Sequence, residues 1–143
     1  MKNLLLISLI GLTLFGCEEK KITEEMLLGE WNCKLSTQEA ESKNGKLQDF
    51  GDPEIGEYKY IFIKKDGQLF WGLSEHVDHL FPFNLEDIYK KTEYTVDDRQ
   101  ISQKIEYLSN DSFRMTDVTA TIDKNNKPTS KTKDKLVCER IKE

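Results

Sequence analysis

The chain has 143 residues, 33% of them charged, and a formal net charge of −5. Its lysines are interspersed with Glu and Asp, so it lacks the grouped Lys and Arg that displace counterions from phosphate, and nucleic acid is excluded as a partner. Two histidines, and three cysteines without a CxxC spacing, argue against a zinc or dithiol redox centre.

Lys2 precedes an apolar stretch over residues 4–15. At about a dozen residues it falls short of the ~20 that a membrane-spanning helix needs, and it has the layout of an export signal. The stretch runs into Leu14-Phe15-Gly16-Cys17. This quartet resembles the lipobox of bacterial lipoproteins: a branched apolar residue, a tolerant position, a small residue, then the cysteine that becomes lipidated. The resemblance implies a signal peptide over 1–16, acyl chains on Cys17, and a membrane contact through that anchor. It also implies a place in the bacterial cell envelope facing the periplasm, with the outer membrane favoured over the inner. An ordinary cleaved secretory signal is the alternative. Each buried CH₂ of an anchor contributes about 0.8 kcal/mol, so one chain is marginal and two or three hold stably. Loss of 1–16 removes Lys2 and takes the formal charge from −5 to −6. In an oxidising compartment Cys33 and Cys138 are expected to form a disulfide, with Cys17 left over.

Residues 17–26, short and charged, read as a lipidated tether. Within them Thr23-Glu24-Glu25 opens one helical turn that runs into Met26-Leu27-Leu28. After Gly29 the apolar period becomes two. Trp31, Cys33 and Leu35 alternate with Asn32 and Lys34, as in a half-buried strand. Asn44-Gly45 predicts a type I′ hairpin turn, and Gly51-Asp52-Pro53 breaks the returning arm. Tyr58, Tyr60 and Phe62 then share one face, with Lys59, Ile61 and Ile63 on the other. Asp66-Gly67 turns the chain, and Leu69, Trp71 and Leu73 alternate back. Over 74–91 the rhythm is lost: Phe81-Pro82-Phe83 reads as a loop and 85–89 as a short helix. Strand rhythm resumes at Thr92, and Tyr94 and Val96 lead to a turn at Asp97-Asp98. A strand over 101–109 carries an irregularity near Lys104. Asn110-Asp111 turns into a strand over 113–122, and Asn125-Asn126-Lys127-Pro128 turns again. The segment 133–141 closes the chain, with Leu136, Cys138 and Arg140 on one face.

Short turns imply antiparallel strands, about eight of them, in an all-β fold with at most short helices. In the register that sets Cys33 against Cys138, Trp31 faces Arg140 and Leu35 faces Leu136. First and last strands then lie together, which closes an up-and-down barrel. A sandwich whose disulfide bridges two sheets is the alternative. A link closing a loop of about 100 residues stabilises by about 4.7 kcal/mol in the chain-entropy model.

Gly29-Glu30-Trp31, Arg140 and the hairpin over 60–70 with its Lys65-Asp66-Gly67 turn resemble the lipocalin-like, or calycin, barrels. Gly29 and Trp31 match the Gly-x-Trp of the first strand, and Arg140 the basic residue that packs across that tryptophan. The resemblance covers residues 27–143 and implies a lipocalin-like β-barrel domain with Trp31 and Arg140 as a structural pair. Their cation–π contact would contribute about 0.5–2 kcal/mol.

No pattern in the chain reads as catalytic. His76 and His79 are spaced His-x-x-His in a loop, without the helical H-E-x-x-H geometry. No serine sits in Gly-x-Ser-x-Gly, and Asp97-Asp98 falls at a turn for backbone reasons. No metal, cofactor or enzymatic activity is expected. Tyr58, Tyr60, Phe62, Phe70, Trp71, Phe81, Phe83, Tyr89, Tyr94, Tyr107 and Phe113 can line a barrel or fill it. Phe81-Pro82-Phe83 is the expected apolar surface at the mouth. The expected function is a non-catalytic, membrane-anchored binding module for a small apolar or amphipathic ligand. The alternative is a protein-binding inhibitor or immunity protein that blocks a toxin or cell-wall hydrolase, for which the acidic charge and the polar segment 37–54 speak.

Overall fold

The structure, a computed structural model, describes residues 18–142. Thr23 caps the first regular element: its side-chain oxygen accepts from the Met26 N–H, starting the single turn α1 (Glu24–Leu27). Strands β1 (Gly29–Lys43), β2 (Lys46–Leu47), β3 (Glu54–Lys65), β4 (Gln68–Leu73) and β5 (Phe81–Pro82) follow. Helix α2 (Leu85–Lys90) then leads to β6 (Glu93–Val96), β7 (Arg99–Ser109), β8 (Ser112–Ile122) and β9 (Pro128–Arg140). The turns have the chemistry their sequences demand. Asn44-Gly45 and Asp66-Gly67 place both residues at positive φ, the type I′ condition that twists with the flanking strands.

Every strand pair is antiparallel, and one sheet runs β5-β4-β3-β1-β9-β8-β7-β6, with β2 paired to β1. The fold is all-β and barrel-like, a single sheet curled around one core with only short helices. β1 and β9 are neighbours in the expected register: Trp31 opposite Arg140, Cys33 opposite Cys138, Leu35 opposite Leu136. The Cys33–Cys138 disulfide therefore joins adjacent strands of one sheet and does not bridge a sandwich. The curl is open along one seam. Among the described residues β5 and β6 are not paired with each other, and α2 connects them, with Leu85 and Ile88 in the core. These two edge strands are two and four residues long. Short edges limit unwanted pairing with other chains.

Four sequence expectations need adjustment. β9 begins at Pro128, not 133, and β1 continues to Lys43, so half of the expected polar loop 37–54 is strand. Apart from the buried Ala40, both extensions are polar and show no apolar alternation. Their backbone groups are satisfied by pairing β1 to β9 and β9 to β8. The register irregularities fall between Tyr107 and Ser109 and between Thr121 and Ile122, beside turns and not at Lys104. Phe81 and Pro82 form an edge strand on β4, a position where proline costs no ladder bond if its nitrogen faces away.

Side chains on the inner face form layers. Trp31, Phe62, Phe113, Leu27, Leu69 and Cys138 are the large residues sealed from solvent. Burial of such side chains contributes about 1.5–3 kcal/mol each. Trp31 meets Phe113 edge-on at 4.8 Å, and Phe62 meets Phe83 edge-on at 5.3 Å. The segment ahead of β1 belongs to this core. Ile22 is buried, its N–H donates to Tyr89 Oη at 2.8 Å, and Lys20 Nζ reaches Tyr107 Oη and Asn110 Oδ1, both at 3.2 Å. The expected tether is thus packed against the sheet over much of its described length.

Candidate functional site

One end of the curled sheet is shut by α1, and Trp31 and Arg140 hold it there. A short helix leaves its last carbonyls without partners. The Trp31 indole donates to Leu27 O at 2.7 Å. Arg140 donates to Leu28 O at 2.8 Å and to Met26 O. Three consecutive carbonyls are satisfied by two side chains that also stack, the guanidinium carbon lying 4.3 Å from the indole centroid. Gly29 takes φ +113°, and a Cβ there would stand 3.4 Å from Arg140 Nη1. The Gly-x-Trp spacing is therefore conformational: the chain must turn at Gly29 so that Trp31 can point back under α1.

From that end the inner face changes character, layer by layer. The pairing places Tyr58, Cys33, Cys138, Phe113 and Tyr107 in one row. Gly56, Leu35, Leu136, Met115 and Ile105 form the next, and Glu54, Thr37, Asp134, Asp117 and Gln103 the one after. An apolar floor gives way to a polar row within three layers. Over this half the sheet is open. On the β3–β4 side Tyr58, in the disulfide row, is 43% exposed, and Tyr60 and Trp71, in the rows of Trp31 and Phe62, are half-buried and stack at 5.2 Å with a 16° tilt. Beside them a cleft of about 570 Å³ opens along the seam, lined by Trp71, Phe83, Ile88, Tyr94, Met115 and Asp117 among others. That volume is in the range of small-molecule sites.

The titratable groups register this environment. Burial, with Tyr58 and Asp134 nearby, raises the Tyr60 phenol. Burial, followed by the facing Asp134 carboxylate, raises Asp117 above the usual carboxylate range. Asp117 Oδ1 is out of solvent contact and has no hydrogen-bond partner, whereas Asp134 Oδ1 accepts from Thr37 Oγ1 at 2.6 Å. The outer face behaves differently. There Glu106 is held at about 2 by hydrogen bonds from Arg114 and Lys104, and a shallow groove of about 890 Å³ between β3, β1 and β9 is lined by Lys34, Lys59, Lys135, Glu57 and Glu139 with Val137. Pro53, Ile55 and Tyr58 line it as well.

The aromatic set divides. Tyr60, Phe62, Trp71, Phe83, Tyr89, Tyr107 and Phe113 belong to the core or pack on it. Phe70 pairs with Ile63 on the outer side, opposite to Trp71. Phe81 is 67% exposed while Phe83 is buried, so the Phe-Pro-Phe segment contributes one surface ring and one core ring. The interior is filled through the row of Leu136, Met115 and Ile105, and becomes accessible at the row of Glu54, Thr37, Asp134 and Asp117. His76 and His79 lie on an exposed turn, each beside the carboxylate of the preceding residue. Among the described residues no three ligating side chains converge on a point that could hold a metal. Cys17 lies outside the described residues.

Asp117 and Asp134 were not singled out by the sequence reading. The signal was present in phase: extending the alternation of Cys138 and Leu136 back two residues puts Asp134 inside and its lysine neighbours outside.

No family model matches this chain, and no curated protein matches it. Among solved structures it is similar to a protein from Nostoc punctiforme described as of unknown function and from the DUF3598 family. The two share 12% identity over 84% of this chain and 49% of that one, with a TM-score of 0.45. The chain thus spans about half the length of that protein.

Proposed function

We propose that this chain is a membrane-anchored, non-catalytic binding module of the bacterial envelope. In this reading it is lipidated at Cys17 and holds a small apolar or amphipathic ligand on the open half of a lipocalin-like inner face. The observation that carries the reading is a sealed apolar core flanked by partly uncovered aromatic rings and a cleft of about 570 Å³. A sheet serving only as a scaffold gains nothing from leaving Tyr58, Tyr60 and Trp71 partly uncovered over an apolar floor. The lipobox-like quartet supports the anchor. The contacts of Lys20 and Ile22 support an orientation in which the α1 end faces the bilayer and the open half faces away.

Native mass spectrometry of the full chain extracted from its membrane, with displacement of a fluorescent lipid, tests this. Expected are a retained small molecule or saturable displacement. A chain that carries nothing and displaces nothing contradicts the reading.

A second reading, a protein-binding inhibitor or immunity protein, is favoured by one observation: Phe81, on the edge strand β5, is 67% exposed. Apolar groups at a sheet edge suit a protein partner. Capture of a cell-wall hydrolase or toxin that is lost on Phe81→Ser would favour it.

A further inference from the structure

The inner and outer faces differ in charge as well as in polarity. In β9 the residues Lys131, Lys133 and Lys135 point outward, and Asp134 between them points in with Leu136 and Cys138. Directly across from Asp134 stand Thr37 on one side and Asp117 on the other, and Glu54 lies beyond Thr37. Like charges directly opposite on neighbouring strands are destabilising. The chain has 21 Lys and Arg residues, yet none of the ion pairs among the described residues involves Asp117 or Asp134. Lys91 lines the cleft with Asp117 and is in none of these ion pairs. Asp117 is partly exposed and lines the cleft, and its Oδ1 has no donor among the described residues. An arrangement that costs folding stability, and that within the chain has only the Thr37 hydrogen bond to Asp134 and no cation, marks a place where something outside the chain supplies the missing charge.

The neighbours say what that group carries. Trp71 lines the same cleft as Asp117 and stacks on Tyr60, with Tyr58 a third ring beside it, the surface on which cations are attracted over apolar bodies. Leu35, Leu136 and Met115 form an apolar layer one row below the carboxylates. From this juxtaposition we infer that the ligand is a small cationic amphiphile, an amine on an apolar or aromatic body. Its ammonium sits at Asp117 and Asp134, and its body lies against Tyr60, Trp71 and the layer beneath. This rests on the reading of the open inner face as the ligand site and narrows that reading to one chemical class.

The test uses the full chain and three probes of equal size and different charge: phenylbutylamine, phenylbutanol and phenylbutyrate, titrated by calorimetry at neutral pH. The amine is expected to bind at least about tenfold more tightly than the alcohol, with the acid weakest. In Asp117→Asn/Asp134→Asn that preference is expected to fall to about twofold or less while the alcohol's affinity is retained. Both substitutions remove repulsion, so the variant is expected to fold. The single Asp134→Asn, measured beside it, is expected to lose part of the same preference. Equal binding of amine and alcohol overturns the cationic assignment and leaves the binding module standing. A preference that survives both variants overturns the assigned residues. No binding of any probe overturns this inference and the module together.

Discussion

Arg140 is a residue that lysine cannot replace here. Its planar fork reaches two carbonyls, it stacks on Trp31, and its Nε lies 3.3 Å from Asp111 Oδ1. Lysine keeps the charge but loses the fork and the stack. Arg140→Lys is expected to destabilise by about 2 kcal/mol, as for lost hydrogen bonds to a charged group, and to raise amide exchange over 22–28 before the rest of the sheet. Chemical denaturation with hydrogen exchange measures both. An unchanged midpoint with unchanged exchange contradicts the capping role. Gly29, Trp31, Arg140 and the two cysteines were legible in the sequence because each is an uncommon residue type at a position where few alternatives work. Asp117 and Asp134 were not, because a carboxylate in a polar strand reads as ordinary solvation unless the strand's phase is carried in from its apolar end.

At the scale of elements, the strands that were legible are those with one buried face. β3, β4 and the second half of β9 alternate because they cover the core. The first half of β9 and the last third of β1 were illegible because pairing, not burial, holds them. The seam strands β5 and β6 are too short to carry a period. Pairing between outer faces has its own signature in pH. Glu106, on β7, accepts from Arg114 on β8 and contacts Lys104 at 3.0 Å. Its pKa is held at about 2 against an ordinary 4.5, so the carboxylate binds its proton less readily when folded. The stabilisation is therefore complete above about pH 4.5 and is lost as pH falls toward 2. Arg114 and Lys104 are 38% and 62% exposed, so solvent screening limits the contribution to about 1 kcal/mol. Glu106→Gln is expected to be less stable than the parent at pH 7 by that amount, and the gap is expected to close on acidification. Urea melts across pH would show it. A gap independent of pH contradicts the ion-pair account.

At the scale of the whole molecule, the expectation that the first and last strands are neighbours was sound, but they pair in the middle of the sheet, and the closure expected from them is incomplete because β5 and β6 are not paired. The disulfide spans a sequence separation of 105 and sits near the Trp31–Arg140 end of the β1–β9 ladder. Loss of such a link from a small domain costs about 2–5 kcal/mol. The ladder itself is continuous from Trp31 to Glu41, so Cys33→Ser/Cys138→Ser is expected to keep the fold at low temperature and to unfold at lower denaturant. Circular dichroism with a urea titration checks both. The opening opposite this ladder was not legible, since it depends on how far the sheet curls before α2 interrupts it. That opening is also where the functional reading rests. Its most direct test is amide NMR of the isotopically labelled full chain during titration with phenylbutylamine. Saturable shifts gathered at Leu35, Thr37, Tyr60, Trp71, Asp117 and Asp134, with the outer-face amides of Lys34, Lys59 and Val137 still, are the expected result. Shifts gathered on the outer face, or none at all, contradict the account.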